Sequence, residues 1–361
     1  MSDRTISCSV DDLAKAPGWW LTKPAEIRAF LESLQGVEVE EIGRTAGGRP
    51  LIAAAWGERE MLPGRTCNSL ASAIAGGKAE AFYGEGERKR QTIVFIGAAH
   101  GTEIEGTVAA LNFLNVIVMG KDLRGREHRA MAERARKLRF VLVPILNVDG
   151  RERALHVVHR INADPGYMDL ICQGKRKGGE TLKWPTGKLH HPMPLDKLEV
   201  LGTYYNDAGV NLVYDTALGG DCQPETTASI RLCCRELADC VILSHTDNGS
   251  LVQPPSSYVP EHCRQRIDQI AAVVGMRCAR EGFPKFRIPG SPHSYAGPQF
   301  YQTDALYHAS GALPLLIEFP CGYQNNPDNH DTILDIGLAV LDEVCAFGEC
   351  YRLRPKEPKV R

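Results

Sequence analysis

The chain has 361 residues, 43% of them hydrophobic, a formal net charge of −2 and twelve cysteines. So even a charge balance excludes a protein built to bind nucleic acid by neutralising phosphates, and no run approaches the ~18 uncharged apolar residues of a membrane span. The N-terminus has no basic region leading into an apolar run, so no signal peptide is expected. The cysteines are scattered and never fall in C-x-x-C spacing; reduced thiols and a cytoplasmic location are expected from this.

In chain order, residues 37–42 and 50–56 flank TAGGR and predict an antiparallel pair at a sheet edge. Residues 93–98 (IVFIGA) read as a buried strand and 108–119 as the helix after it. A charged helix is predicted over 127–137, followed by a strand over 140–146 (FVLVPIL). The pattern then repeats: helix 226–237, strand 240–244 (CVILS), amphipathic helix 264–280, strand 313–319 (LPLLIEF) and closing helix 333–345. Strands alternating with helices of this length predict an α/β fold, with a mixed, mainly parallel central sheet flanked by helices. Chemistry in such sheets collects beyond the carboxyl ends of the strands. Residues 61–90 and 151–205 have little periodicity and read as insertions. With no linker or repeat in view, a single catalytic domain over 1–361 is expected.

The strand ends carry the candidate chemistry. His100-Gly-Thr-Glu103 follows IVFIGAA, and zinc takes imidazole nitrogen and carboxylate oxygen as ligands. A sharp turn permitted by Gly101 is expected to let the pair converge on one ion. His245 follows CVILS, and Glu318 stands in the apolar strand LPLLIEF, where an unpaired carboxylate is costly to bury unless it serves a site. Asn147-Val-Asp-Gly150 follows FVLVPIL and is expected as a loop.

These motifs together resemble the zinc carboxypeptidase (funnelin) family, from about residue 41 to 319. IGRTAGGRPL resembles the family's early strand-turn-strand, and HGTE its first two zinc ligands. ILNVDGRE resembles the Asn-Pro-Asp-Gly loop, with Val148 in place of proline. His245 resembles the third ligand, Asp304-Ala-Leu-Tyr307 the Asp-Trp-x-Tyr segment, and Glu318 the catalytic glutamate.

The resemblance implies one zinc per chain held by His100, Glu103 and His245, with a metal position left open for water. Glu318 would be the general base that takes the water's proton and delivers it to the leaving nitrogen. The cation stabilising the oxyanion would be Arg176, in the basic GKRKGG segment, with Arg160 as the rival. The mobile substrate-capping tyrosine would be Tyr295, with Tyr301 as the rival. Asn147, Arg160, Tyr214, Thr303 and Asp304 would line the substrate site. Thr303 is small and uncharged, which argues against strict selection of a charged side chain.

One segment departs from the family. Where Gly-Val-Asp-Leu-Asn-Arg would bind a terminal carboxylate, the chain reads Gly209-Val-Asn211-Leu-Val213-Tyr214. Asn211 replaces an aspartate that would orient a ligand histidine; its amide oxygen can still accept that hydrogen bond. Val213 and Tyr214 replace the clamp itself, with Arg287 as a possible substitute cation. Three functions follow. The leading one is hydrolysis of a peptide or peptide-like amide. The second is deacylation of an N-acyl amino acid or small metabolite, and the third an inactive binding module on the same fold. The expected partner is a peptide or small amide substrate, with no nucleic acid and no membrane.

Overall fold

The structure is a computed structural model. It describes residues 16–60, 74, 89–154, 165–183, 191–216, 221–247, 259–283, 300–320 and 329–355. The chain enters through helix α1 (Pro24–Ser33) and the edge strand β1 (Val37–Arg44). β1 pairs antiparallel with β2 (Pro50–Trp56), as the two flanks of TAGGR predict. Next come β3 (Thr92–Ile96), α2 (Glu105–Met119), α3 (Arg129–Ala135) and β4 (Arg139–Val143). After these follow α4 (Val148–Arg153), α5 (Pro165–Gln173), and the short strands β5 (Gly174–Arg176) and β6 (Leu198–Leu201). The chain then runs through α6 (Pro224–Arg235), β7 (Cys240–Asp247), α7 (Glu261–Arg280), α8 (Gln302–Ser310), β8 (Leu313–Pro320) and α9 (Asn329–Cys350).

The main sheet has the order β1-β2-β4-β3-β7-β8. β4, β3, β7 and β8 run parallel, and β1 and β2 are the antiparallel margin. This is the mixed, mainly parallel sheet expected from the sequence. Every residue of β3 and β4 is buried, which requires cover on both faces and explains their continuous apolar runs. α2, α3, α7 and α9 pack against one another as one group, while α6 and α8 pair as another. α2 is apolar almost all round and buried from Glu105 to Ile117, as befits a helix inside the core. Its chain reverses at Gly120, whose φ of 75° suits a residue without Cβ.

The sequence places two boundaries differently. β7 runs to Asp247, so His245 lies inside the strand and not after it. Residues 148–153 form the helical turn α4 where a loop is expected, because Asn147 caps it: its Oδ1 accepts from Gly150 N at 2.8 Å. The expected insertion at 151–205 contains its own elements, α5 and the two-stranded β5–β6 sheet. That at 61–90 lies almost wholly outside the described residues.

Candidate metal centre

The ends of β3, β7 and β8 meet at one place. The chain leaves β3 through Ala98, held in the left-handed region at φ 45°, a conformation that costs energy for any residue with a Cβ and clusters at functional sites. The expected turn between His100 and Glu103 follows at Gly101, closed by Glu103 N donating to His100 O at 3.0 Å. Gly101 is needed for a second reason. A Cβ there would stand 2.1 Å from the carbonyl carbon of Gly150, so the backbone of α4 could not approach. Gly101 N instead donates to Thr203 O at 2.9 Å.

His100, Glu103 and His245 are buried together, with their ligating atoms all within 4.8 Å of one another. His100 Nδ1 lies 2.9 Å from Glu103 Oε1, and His245 Nδ1 lies 2.9 Å from Glu103 Oε2. Two imidazole nitrogens and a carboxylate, too few oxygens for a calcium cage, form the donor set zinc takes. His100 Nε2 is 3.2 Å from Asn211 Oδ1, so the amide fills the orienting place that the family gives to an aspartate.

Electrostatics bind the three into one unit. Burial pushes Glu103 up, but the charges and hydrogen bonds of His100 and His245 override it and hold the carboxyl well below its ordinary range. Burial also dominates at His100 and lowers it, which favours the neutral imidazole that a metal requires. At His245 burial is more than offset by the Glu103 hydrogen bond and charge, with Glu318 adding to them, and the group is raised. Glu318 sits beside His245 because the parallel β7–β8 register pairs the two residues directly. It is only partly buried.

Several residues missed in the sequence complete the surroundings. Thr246 N donates to Glu103 Oε2 at 3.3 Å, and its hydroxyl donates to Glu105 Oε2 at 3.0 Å. Glu105 is fully buried, and the buried Arg151 feels its charge. Arg151 Nη1 donates to Gly101 O at 2.9 Å, and burial brings its pKa down to about 10. A carboxylate inside an otherwise apolar helix was a signal for Glu105, of the kind used for Glu318. Asp149 anchors the back of the site. It accepts from Thr45 Oγ1 at 2.6 Å, Gly47 N at 2.8 Å and Arg49 Nη1 at 2.7 Å, so the TAGGR turn docks on the Asn147–Gly150 motif.

Other expected residues stand elsewhere or do different work. Asn147 is fully buried, caps α4 and donates to Thr203 O at 3.3 Å, so both ends of its amide bond backbone and not substrate. Asp304 Oδ2 accepts from Tyr301 N at 2.8 Å in a capping box that opens α8, and it is fully buried. Thr303 is buried beside it in the same helix. Arg176 is exposed on β5, outside the buried cluster. Tyr214 ends a 3-10 turn, Leu212–Tyr214, with its ring 6.3 Å from His191 and 5.6 Å from Tyr301. Arg160, Arg287 and Tyr295 lie outside the described residues.

Residues 27–175 match the family model described as zinc carboxypeptidase. That stretch holds His100, Glu103 and Asn147, while His245 and Glu318 lie beyond it. The fold is shared with a metallo-carboxypeptidase from Burkholderia cenocepacia at TM-score 0.54 and 17% identity, over 90% of this chain and 68% of that one. It is shared too with a metallo-carboxypeptidase from Pseudomonas aeruginosa in complex with (2-guanidinoethylmercapto)succinic acid, at 0.52 and 14%, over 91% and 68%. Carboxypeptidase A from Helicoverpa armigera aligns at 0.53 and 14%, over 92% and 74%. At such identities these likenesses speak for the fold. No curated protein sequence gives a significant match. Family model, fold and motifs agree: residues 27–175 resemble the zinc carboxypeptidase family, and the chain has the fold of the metallo-carboxypeptidases.

Proposed function

We propose that the chain hydrolyses an amide bond of a peptide or peptide-like substrate, with one zinc held by His100, Glu103 and His245 and with Glu318 as the general base. The observation that carries this reading is the convergence of the three ligands within 4.8 Å, with Glu318 paired to His245 on the next strand. Zinc bound there would supply Lewis acidity and acidify a water molecule. The chain's own residues do the rest. Glu318 takes the proton of the attacking water and passes it to the leaving nitrogen. Asn211 fixes the ring of His100, and Thr246 N–H holds one oxygen of Glu103. The charge opposite the oxyanion would come from Arg176, exposed on β5, or from its rival Arg160.

Within the second reading, deacylation of an N-acyl amino acid or small metabolite, one observation favours a metabolite without a free carboxylate. Val213 is buried and apolar, and Tyr214 meets aromatic rings where the family has its carboxylate clamp. The test of the main reading combines elemental analysis of protein purified without added metal with a peptide hydrolysis assay. Glu318→Gln is expected to keep about one zinc per chain and lose on the order of 10²–10⁴-fold in rate. Near-normal turnover in that variant would remove Glu318 from the mechanism.

A further inference from the structure

We infer that Tyr204 is a positioning residue of the metal centre, its ring setting the plane of His100 and its phenol acting on the charge of Glu103; this rests on the zinc reading above. Tyr204 lies at the end of the segment that the sequence marks as an insertion. Its ring is stacked on the imidazole of His100, with centroids 3.7 Å apart and planes inclined by 1°. Burial first, and then the nearby Cys172 and Glu103, push the Tyr204 phenol well above its ordinary value. One side chain therefore stacks on one ligand and feels the charge of a second.

The backbone shows that this contact is built. Thr203 N donates to Ile171 O at 2.8 Å and Tyr204 N to Cys172 O at 3.2 Å. Thr203 O accepts from Gly101 N and from Asn147 Nδ2. Tyr205 Oη donates to Gln173 Oε1 at 3.1 Å. Residues 203–205 are thus fixed between α5 and the His100 turn, and the ring of Tyr204 has its place set from both sides.

The geometry of the stack favours a particular state of His100. Two electron-rich rings avoid a nearly eclipsed face-to-face arrangement and prefer an offset or an edge. A ring depleted of electrons is attracted to the face of tyrosine. An imidazole that has given its lone pair to a cation is such a ring, so this stack suits the metal-bound form better than the free one. With Nδ1 at Glu103, Nε2 at Asn211 and its face on Tyr204, His100 has no rotation left. Glu103 is held in a similar way, by His100 at Oε1 and by His245 and Thr246 N–H at Oε2, with the Tyr204 phenol close enough to feel its charge.

The test measures zinc affinity by competition with a chromophoric chelator for the full chain, Tyr204→Phe and Tyr204→Leu. Cobalt(II)-loaded samples provide visible spectra that report ligand geometry without turnover. Residues that orient ligands typically change metal affinity by about 10–100-fold. Tyr204→Phe keeps the ring and loses the hydroxyl, so about tenfold weaker binding is expected. Tyr204→Leu loses both and is expected near the hundredfold end, with a shifted cobalt spectrum. Wild-type affinity and an unaltered spectrum in both variants would overturn the inference. Should the leucine variant fail to fold, the phenylalanine variant decides alone: weaker binding supports the role, and unchanged binding overturns it. A wild-type chain that binds no zinc would instead overturn the metal centre itself, an outcome distinct from zinc binding that ignores Tyr204.

Discussion

The wall that holds the ligands and the wall that would hold the end of a substrate are built in opposite ways. On the ligand wall most polar groups face another: Glu103 between two histidines, His100 against Asn211, Thr246 between Glu103 and Glu105, Asp149 under four donors. On the other wall, the turn 211–215 presents buried valine and a tyrosine packed on aromatic rings. A network of buried charges tolerates no single change, because each group left unpaired carries its full desolvation penalty. An apolar and aromatic wall can be altered one residue at a time at small energetic cost. Chemistry and specificity are therefore free to diverge independently, and in this chain the second has moved further from the family than the first.

The sharpest way to break the contrast is to remove a ligand. His245→Ala deletes one of the three ligands and leaves Glu103 with His100 and Thr246 N–H. Zinc content is expected to fall from about one per chain to near zero, measured by elemental analysis, with hydrolysis lost alongside. Full occupancy in this variant would mean that the third ligand is another residue.

Next in size is the anchor behind the ligands. Asp149 is fully buried and bonded to Arg49, Thr45 and the Gly47 amide. Asp149→Ala leaves the Thr45 hydroxyl and the Gly47 and Asp207 amides without their acceptor, while the half-exposed Arg49 keeps Asp207, so a destabilisation on the order of 1–3 kcal/mol is expected. Burial pushes the Asp149 carboxyl up, but the bonds from Thr45, Asp207 N, Arg49 and Gly47 N outweigh it and hold the group below its usual range. A depressed folded value contributes stability that is present above the unfolded pKa of about 3.9 and is lost as pH falls through the folded value. The difference in denaturation midpoint between wild type and Asp149→Asn should therefore be widest near neutrality and shrink below about pH 4. A difference that stays constant down to pH 2 would remove the ionised carboxylate from the argument.

These two expectations bear on how far the site could be read without coordinates. The main strands were legible because fully buried parallel strands are apolar throughout: TIVFI, RFVLV and LPLLIEFP announce themselves. His100, Glu103, His245 and Glu318 stood out as polar groups at or near the ends of such runs. What was not legible depends on contacts between distant segments. Nothing near Tyr204 in the chain reveals that its ring lies on His100, 104 positions away. The turn at Gly101 was legible, whereas its close approach to Gly150 was not, because that cannot be seen in a glycine's chain neighbours. Asn147 and Asp304 resembled substrate contacts, yet each caps a helix. Caps are local, and the Asn147 cap was available from the sequence once 148–153 was read as helical.

A smaller effect is expected where the ligand wall itself departs from the family. Asn211 Oδ1 accepts from two directions, facing His100 Nε2 and accepting from Val213 N at 3.1 Å. An aspartate would supply the same acceptor with a charge, which raises the basicity of the imidazole it orients. Asn211→Asp should therefore tighten zinc binding by up to about tenfold, and Asn211→Ala should weaken it by about 10–100-fold. Chelator competition measures both. Equal affinity in all three proteins would show that His100 is held without residue 211.

The smallest expected effect concerns the substrate-end wall, and its smallness is the point. A charged clamp on a buried carboxylate contributes on the order of 2–5 kcal/mol, a preference of roughly 30-fold to several-thousand-fold for free acids over amides. Val213 offers no donor, and Tyr214 offers one neutral hydroxyl. Matched peptides with free and amidated C-termini should therefore differ in kcat/KM by less than about tenfold, in activity that Glu318→Gln abolishes. A strong preference for the acids would mean that another cation occupies the clamp's place. Tyr214→Arg sharpens the same comparison. Tyr214 ends its turn half-buried, so a longer side chain has room to reach outward. Arginine there would restore a bidentate donor, and the ratio of free-acid to amide turnover should rise. If the ratio instead stays flat, the carboxylate of a substrate does not reach residue 214, and the second wall lies elsewhere.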